Sequence, residues 1–331
     1  MILYLVVAVL LFISMLLYFK VANKFNIIDK PNERSSHTEI TLRGGGVIFP
    51  LAFLFFLATK LFLKNDETSS EIYYLNDFLI FGAGLFLICG ISFVDDLMDL
   101  SSKIRLIFHF VSVSLLLYFI NAFQIAPFWL IPVFYILIIG ILNAFNFMDG
   151  INGITGFYSL VVLGALLYVN EFQINFTDNN FIIFPILASA VFLFFNFRKG
   201  AKCFMGDVGS LGIAFWIVAL LGLLIIKTGD FKYILFLAVY GLDVIITILE
   251  RLKMKENIFK PHRRHLYQLF ANEKKIDHRM ISVIYALIQT LICFVVIKTS
   301  SANYWIFIVL MIIAFIFYLF LKTAIKKNLK L

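Results

Sequence analysis

Long apolar stretches recur along this chain, and they decide what it can fold into. A helix needs about 20 mainly apolar residues to cross the roughly 30 Å hydrocarbon core of a bilayer. Eleven stretches approach or reach that length, and we predict spans at 1–19, 44–63, 77–94, 106–120, 127–142, 154–170, 181–195, 209–226, 233–249, 280–298 and 303–321. The composition agrees, with 62% hydrophobic and 15% charged residues among 331. We therefore predict an all-α polytopic membrane protein.

The distribution of Lys and Arg predicts the orientation, because the basic bias of short loops sets which side stays cytoplasmic. With the N-terminus outside, 23 of the 28 Lys and Arg residues fall on the inner side, nine of them in segment 250–279. We therefore expect a periplasmic N-terminus, a cytoplasmic C-terminus and a location in the bacterial inner membrane. Span 1–19 has neither a basic n-region nor a small-residue cleavage site, so we interpret it as a retained helix.

The chain shows no internal repeat and no low-complexity tract, and we predict one integral-membrane domain over 1–331. The net charge of +8 is explained by inner-face cations that meet anionic headgroups and any phosphorylated substrate. No nucleic-acid-binding motif is present. The three cysteines show no CxxC spacing and lie where disulfides are not favoured.

Two inner segments combine acidic, basic and glycine residues. Segment 29–46 begins D-K-P-N-E-R-S-S-H and ends R-G-G-G, where glycine lets the backbone approach a ligand closely; a solvated basic loop is the alternative. Segment 95–105 contains Asp95, Asp96 and Asp99. Carboxylates this close favour a cation, and Mg²⁺ takes carboxylate and phosphate oxygens together. The alternative is an interfacial cap followed by a helix that begins at serine.

Two further inner segments are rich in amides and glycine. Segment 143–153 reads N-A-F-N-F-M-D-G-I-N-G, and its amides can chelate Mg²⁺ or read a base edge. Helix capping by Asn and turns by Gly explain single residues here, but they explain the whole cluster poorly. Segment 204–210 contains Asp207, which is either a second ligand for the same cation or a helix N-cap.

The last inner segment reads P-H-R-R-H over 261–265. Guanidinium groups bind phosphate oxygens in bidentate fashion, and imidazole can donate to phosphate or shuttle a proton. A basic patch against lipid headgroups is the alternative. Asp243 lies inside a predicted span, where an acid usually faces a cavity or a partner. Arg251 and the 261–265 loop are its nearest candidates along the chain.

Together these segments resemble the polyprenyl-phosphate N-acetylhexosamine-1-phosphate transferases, the family of the peptidoglycan translocase and of the O-antigen and teichoic-acid initiators. The resemblance covers nearly the whole chain and rests on five motifs in order: D-K-P-N-x-R-S-S-H with R-G-G-G, D-D-x-x-D-L-S-x-K-x-R-L, N-x-x-N-x-x-D-G-I-N-G, F-M-G-D-x-G-S and H-R-R-H. The first and third motifs are more similar to those of the initiators than to those of the translocase. In addition, the translocase has a final loop that is richer in His.

The resemblance implies substrates and roles for particular residues. The implied donor is a UDP-linked N-acetylhexosamine. GlcNAc is the favoured sugar, and GalNAc or a deoxy-amino sugar is left open. The implied acceptor is undecaprenyl phosphate. The candidate metal ligands for Mg²⁺, or Mn²⁺ in its place, are Asp207 and Asn146. The candidate substrate-binding residues are Asn143, Asn152 and Phe204, the last two for uracil, and His262, Arg263, Arg264 and His265 for the diphosphate.

The candidate catalytic residues are Asp95 and Asp96, which would position or deprotonate the lipid phosphate, Lys103, which would bind phosphate, and Asp149. The role of Asp149 as ligand, base or anchor is left open. Many relatives carry Asp at the position of Asn152, and an amide can still face a uracil edge. A homodimer is also implied by the resemblance.

The implied reaction is an in-line displacement in which the lipid phosphate attacks the β-phosphate and UMP leaves. A covalent intermediate on Asp95 or Asp96 is the rival mechanism. There are two rival functions. One is a transferase that uses UDP-MurNAc-pentapeptide as the donor, and the other, from a different class, is a transporter or flippase. A transporter predicts ionisable residues in the middle of several spans, whereas Asp243 is nearly the only one here.

Overall fold

The computed structural model describes residues 2–29, 39–62, 69–98, 100–257, 262–300 and 303–329, with the backbone alone for 69–74 and 328–329. Within these ranges, eleven helical segments are long and apolar enough to cross a membrane. The prediction of an all-α multi-pass membrane protein is therefore confirmed. The predicted sidedness of the termini and the single domain over 1–331 stay predictions.

The long helices follow the chain as α1 Ile2–Lys24, α2 Ile48–Phe62, α3 Ser69–Met98, α4 Ser102–Phe119, α6 Ile131–Met148, α7 Ile154–Phe172, α8 Asn179–Asn196, α9 Gly206–Thr228, α10 Ala238–Lys253, α12 His278–Lys298 and α13 Tyr304–Leu329. Short helices α5, Ala122–Ile125, and α11, Leu266–Gln268, lie between them. Turns of 3-10 helix over Gly45–Val47, Phe128–Leu130 and Phe231–Leu237 lead into α2, α6 and α10, and a π-helical turn over Leu269–Glu273 follows α11. Strands β1, Ile28–Asp29, and β2, Thr41–Leu42, pair antiparallel.

Helix α9 forms the centre of the bundle. Of the residues in the membrane-spanning part of α9, 78% are buried inside the protein, compared with 17% for α1 and 11% for α13. Trp216 of α9 lies among the rings of Phe53, Phe81 and Phe181 at 5.3–5.6 Å between centroids. Its indole N–H donates to the Phe181 carbonyl at 2.9 Å, which satisfies the one polar group that this ring brings into an apolar core. The middle of α9 is thereby fixed in the core of the bundle.

Several helices continue past the apolar runs that predicted them. Helix α3 extends to Met98 and α6 to Met148, while α9 begins at Gly206, so the predicted ends are short by three to six residues. A hydropathy pattern ends where polar side chains begin, but backbone hydrogen bonding continues the helix through them. The candidate polar residues at these ends therefore project from helical turns.

Segment 42–46 is joined to the start of α9 by backbone hydrogen bonds. Phe204 donates to the Leu42 carbonyl at 2.8 Å, and Gly45 and Gly46 donate to the carbonyls of Phe204 and Met205 at 2.8 and 2.9 Å. A Cβ on Gly46 would lie 2.0 Å from the Cα of Gly209, so only glycine fits at this crossing. Glycine was predicted here for close approach to a ligand; in the structure Gly46 approaches the backbone of α9.

Candidate active site

A polar cavity of about 180 Å³ lies where the ends of α6, α8 and α9 meet the segment before α2. Its walls are formed by Asp29, Arg43, Asn146, Asp149, Gly150, Ile151, Asn152, Asn196, Phe204, Met205, Gly206, Asp207, Ser210, Gln268 and His278. Most of these residues are polar or charged, and they come from segments far apart in the sequence. Such convergence of polar groups in one concave site is typical of a binding site.

Five of the predicted site residues line this cavity: Asn146, Asp149, Asn152, Phe204 and Asp207. Asp207 lies in the first turn of α9 and its side chain is 24% exposed. The Asn146 amide, in the last turn of α6, donates to the Ser210 hydroxyl at 3.3 Å. The N-cap of α9 is Met205 and not Asp207, so the capping explanation for Asp207 is wrong and its carboxylate faces the cavity.

Asp96 is buried beside the cavity and joins three segments of the chain. Its carboxylate, 1% exposed, lies 2.6 Å from the Arg43 guanidinium and accepts the backbone N–H of Asp207 at 3.0 Å. A negative charge at a helix N-terminus is stabilised by the helix dipole. The same Arg43 nitrogen is 3.5 Å from Asp207. Arg43 therefore bridges the two carboxylates, although burial opposes its charge; Asp96 and then Asp207 raise its pKa.

Asp95 points away from Asp96 because successive residues on a helix lie about 100° apart. It accepts the Leu100 N–H at 2.7 Å and the Arg105 guanidinium at 2.9 Å. Ser101 accepts the Ile104 N–H at 3.4 Å and caps α4. The capped serine-initiated helix, which was the alternative explanation for this segment, is therefore present. Asp95, Asp96 and the exposed Lys103 do not line the cavity.

The remaining predicted polar residues differ in their surroundings. Asn143 donates to the Ile139 carbonyl of its own helix at 2.8 Å and does not line the cavity. Asn152 lines it, and its amide donates to the Arg198 carbonyl at 2.8 Å. That bond orients the Asn152 side chain, so its amide oxygen remains available as an acceptor. Asp149 follows α6 directly. Burial, together with the nearby Asp207 carboxylate, raises the pKa of Asp149 to about 7.

The His–Arg loop, here residues 262–265, lies beside the cavity and not in its wall. Arg264 forms an ion pair with Glu256 at 2.7 Å. The Nδ1 atom of His262 accepts the Arg264 backbone N–H at 3.3 Å. Burial and the neighbouring His265 lower the pKa of His262 to about 3. His262 is therefore neutral at pH 7 and presents Nε2–H as a donor, the form that hydrogen-bonds phosphate without adding charge.

His265 is buried and faces Asp243. Its Nδ1 atom is 3.0 Å from the Asp243 carboxylate, which also accepts the Leu266 N–H at 3.1 Å. The hydroxyls of Tyr285 and Tyr318 donate to Asp243 at 2.8 and 2.9 Å. The sequence named no partner for Asp243 and indicated only that Arg251 and the His–Arg loop lie nearest along the chain; in the structure the loop contacts it. The two tyrosines, from α12 and α13, were not predicted.

Comparison with known proteins agrees with this arrangement of motifs. Residues 78–226 match the family model described as glycosyl transferase family 4. A probable undecaprenyl-phosphate N-acetylglucosaminyl 1-phosphate transferase of Bacillus subtilis is 27% identical over 90% of this chain and 84% of its own length. The undecaprenyl-phosphate α-N-acetylglucosaminyl 1-phosphate transferase of Escherichia coli K12 is 26% identical over 94% of this chain and 88% of its own.

The resemblance predicted from the motifs is therefore confirmed, since residues 78–226 match glycosyl transferase family 4 and the two relatives extend the similarity over most of the chain. A phospho-N-acetylmuramoyl-pentapeptide-transferase of Petrotoga mobilis is also similar, at 30% identity over 51% of this chain and 56% of its own length. The family 4 match covers the part of the chain from α3 to α9 that carries Asp96, Asp149 and Asp207. It does not include Arg43 or the His–Arg loop, which the structure brings to the same region.

The donor set of this cavity suits a hard cation that is shared with phosphate. No group of three or more His, Cys, Asp or Glu residues that could hold a metal by itself occurs in the described ranges. The cavity offers the Asp207 carboxylate, with the Asn146 amide beside Ser210. Mg²⁺ is commonly held by one or two carboxylates together with waters and substrate phosphates. The residues present therefore fit Mg²⁺ better than an ion that needs a complete protein cage.

Six polar or charged cavity residues were missed as site residues in the sequence: Asp29, Arg43, Asn196, Ser210, Gln268 and His278. The signal for Arg43 was its position just before three glycines, where a close contact was already expected. Asp29 opens the first motif. Gln268 and His278 follow the His–Arg loop, and no local pattern distinguishes them. Only the packing of α11 and α12 against segment 149–152 brings them to the cavity.

Proposed function

We propose that this protein transfers N-acetylglucosamine 1-phosphate from a UDP-linked donor to undecaprenyl phosphate, with release of UMP. The observation that carries the proposal is the polar cavity at the ends of the spanning helices, where Arg43, Asn146 and Asp207 converge. The relatives that align over nine-tenths of the chain carry names with this activity. We further propose that the protein lies in the bacterial inner membrane with the cavity on the cytoplasmic side, since 23 of 28 Lys and Arg residues favour that orientation.

The cavity accommodates part of the donor. Its volume of about 180 Å³ is below the roughly 300 Å³ at which pockets enclose a whole small molecule. Asn152 and Phe204 would hold the uracil, the amide by hydrogen bonds and the ring by stacking. The diphosphate would then extend past Asp207 and Arg43 towards the His–Arg loop. There the neutral His262 and the guanidinium of Arg263 are donors suited to phosphate oxygens.

Asp207 and Asn146 would hold Mg²⁺. When bound, the ion neutralises charge on the diphosphate and on the leaving phosphate. The chain's own residues complete that environment, because Arg43 already lies 3.5 Å from Asp207 and adds positive charge beside it. Asp96 in turn fixes Arg43 at 2.6 Å. A network of this kind positions charge before the substrate arrives, and such preorganisation is a large contribution to catalysis.

The displacement would be direct. An oxygen of the lipid phosphate attacks the β-phosphorus, the bond from that phosphorus to the bridging oxygen breaks, and UMP leaves with the electron pair. Asp96 is a poor nucleophile for the rival covalent route, because it is 1% exposed and engaged by Arg43 and the Asp207 N–H. Asp95 is held by Leu100 and Arg105. These contacts support positioning roles for Asp95 and Asp96. A phosphosugar trapped on either residue would contradict the direct displacement.

The donor can be identified with purified protein in detergent, Mg²⁺ and undecaprenyl phosphate. UMP release is followed with UDP-GlcNAc, UDP-GalNAc and UDP-MurNAc-pentapeptide in parallel, and the lipid product is analysed by mass spectrometry. We expect turnover with UDP-GlcNAc and a lipid diphosphate of the corresponding mass. Turnover with the pentapeptide donor alone would assign the activity named for the Petrotoga relative, which aligns with about half of this chain.

A further inference from the structure

The buried carboxylate of Asp243 connects three helices to the His–Arg loop. It lies in α10 and is fully buried, and it accepts hydroxyl donors from Tyr285 of α12 and Tyr318 of α13. It also accepts the Thr247 hydroxyl of its own helix at 3.4 Å, and it contacts the end of the loop, at 3.0 Å to Nδ1 of His265 and 3.1 Å from the N–H of the next residue, Leu266. An ionised carboxylate only accepts hydrogen bonds, so Nδ1 of His265 carries a proton and donates it here.

The loop residues held by Asp243 continue directly into the cavity wall. The backbone N–H of His265 donates to the Gln268 side chain at 3.2 Å, and Gln268 lines the cavity. Tyr267 donates to the Phe147 carbonyl at 2.8 Å and packs so closely on Gly150 that a Cβ there would lie 2.3 Å from its hydroxyl. A shift at His265 would therefore move groups that contact the substrate site.

The Nε2 atom of His265 is a second observation that indicates a role for this part of the structure. It is buried and has no hydrogen-bond partner in the described part of the chain. Nδ1 faces Asp243, so Nε2 is the second polar atom of the ring and points away from that carboxylate. Buried polar atoms without a partner are rare in native proteins and often contact a water or ligand. The orientation of this ring therefore matters beyond the packing of the loop.

We propose that Tyr285 and Tyr318 are positioning residues for the His–Arg loop. By donating to Asp243 from two different helices, they fix the carboxylate that orients His265 and the segment up to Gln268. Helix α13 is otherwise little buried. Its Tyr318 reaches the loop through this carboxylate and belongs to a small apolar cluster that includes Leu266 and Leu269. The effect on turnover rests on the proposed function, whereas the effect on loop order does not.

The test compares Tyr285→Phe, Tyr318→Phe and the double variant with wild type. The matched control is Tyr135→Phe, which removes a hydroxyl 2.7 Å from Ser114 between two other helices. Hydrogen–deuterium exchange of peptides over 262–268 reports loop order directly. Steady-state UMP release at varied UDP-GlcNAc separates KM from kcat. Thermal unfolding in detergent shows that each variant is folded.

We expect faster exchange over 262–268 in the tyrosine variants but not in Tyr135→Phe. The double variant should raise KM for UDP-GlcNAc about tenfold, equivalent to about 1.4 kcal/mol, with kcat within about twofold of wild type. Exchange equal to wild type in the double variant would overturn the inference, and so would faster exchange with unchanged KM. If wild type releases no UMP with any donor, the proposed function fails, and the exchange result alone decides whether the tyrosines position the loop.

Discussion

The carboxylate of Asp96 accepts the backbone N–H of Asp207 at 3.0 Å. This contact joins the last turn of α3 to the first turn of α9, and Arg43 lies across both acids at 2.6 and 3.5 Å. The two aspartates have different surroundings, because Asp96 is almost inaccessible and Asp207 is 24% exposed to the cavity. One acid is therefore part of the structure around the cavity, and the other lines the cavity itself.

Substitution of these two residues should separate stability from activity. Asp96→Asn leaves Arg43 without its closest counter-charge; because Arg43 is 32% exposed, the cost should lie below the roughly 3–5 kcal/mol of a fully buried pair. We expect a clearly lower unfolding temperature and loss of activity. Asp207→Asn should keep the unfolding temperature near that of wild type but reduce kcat at least about 100-fold, as loss of a preorganised charge in an active site does. Equal destabilisation by both substitutions would contradict this division.

The crossing of Gly46 and Gly209 should tolerate no side chain. Gly46→Ala places a Cβ 2.0 Å from the Cα of Gly209, and this clash is with backbone, so α2 and α9 would have to separate. We expect low yield of folded protein by size-exclusion chromatography in detergent. Gly90→Ala is the matched control, since nothing lies within 4 Å of a Cβ there. A Gly46→Ala protein as stable as the Gly90→Ala protein would show that the contact is not close.

Asp149 should make stability depend on pH in the absence of divalent metal. Its pKa of about 7 exceeds the value of about 3.9 for an unfolded chain. The folded protein therefore binds more protons between these values, and its stability falls as pH rises from about 4 to 7. In EDTA, we expect the unfolding temperature of wild type to fall more between pH 5 and pH 8 than that of Asp149→Asn.

The comparison with the variant isolates Asp149 from other titrating groups. His262, whose pKa is lowered to about 3, acts in the opposite direction below its unfolded value of about 6.5. Its contribution is the same in wild type and in Asp149→Asn and so cancels in the difference. Parallel curves for the two proteins would mean that the Asp149 carboxyl titrates normally.

A buried ion pair attaches α13 to α10. Lys322 lies 3.0 Å from Glu250 and donates to Thr247 at 2.8 Å, and its side chain is only 4% exposed. Glu250 also pairs with Lys326, so Lys322→Met leaves Glu250 with a second cation, whereas Glu250→Leu leaves the buried Lys322 without its carboxylate and should cost more. We expect Lys322→Met and Glu250→Leu each to lower the unfolding temperature, and the double variant to be more stable than the sum of the two effects predicts. Strict additivity would mean that the pair is not coupled.

The spanning helices were predictable because hydropathy directly reports which residues lipid tolerates. The meeting of Asn146, Asn152 and Asp207 in one cavity was also predictable, since each lies at or next to the end of a spanning helix or its neighbouring turn. By contrast, the divergence of Asp95 and Asp96 depends on α3 continuing through them. Hydropathy does not reveal this continuation, because the helix there is maintained by backbone hydrogen bonds and not by apolar side chains.

Contacts between distant segments account for the rest of what the sequence did not reveal. Arg43 meets Asp207 only because segment 42–46 pairs with the backbone before α9. Tyr318 meets Asp243, 75 residues away, through the packing of α13 on α10. Neither pairing leaves a local pattern, since single polar residues on apolar helices have no periodicity. The direction in which each helix presents its polar residue had to come from the structure.

The most direct test of the account is lipid-dependent UMP release from UDP-GlcNAc by wild type and by Asp207→Asn, each confirmed as folded by thermal unfolding. The account predicts that wild-type release requires both undecaprenyl phosphate and Mg²⁺, and that the variant retains at most about one hundredth of the rate. Release of UMP by folded wild type without the lipid, or an Asp207→Asn protein as active as wild type, would contradict the assignment of this cavity as the active site.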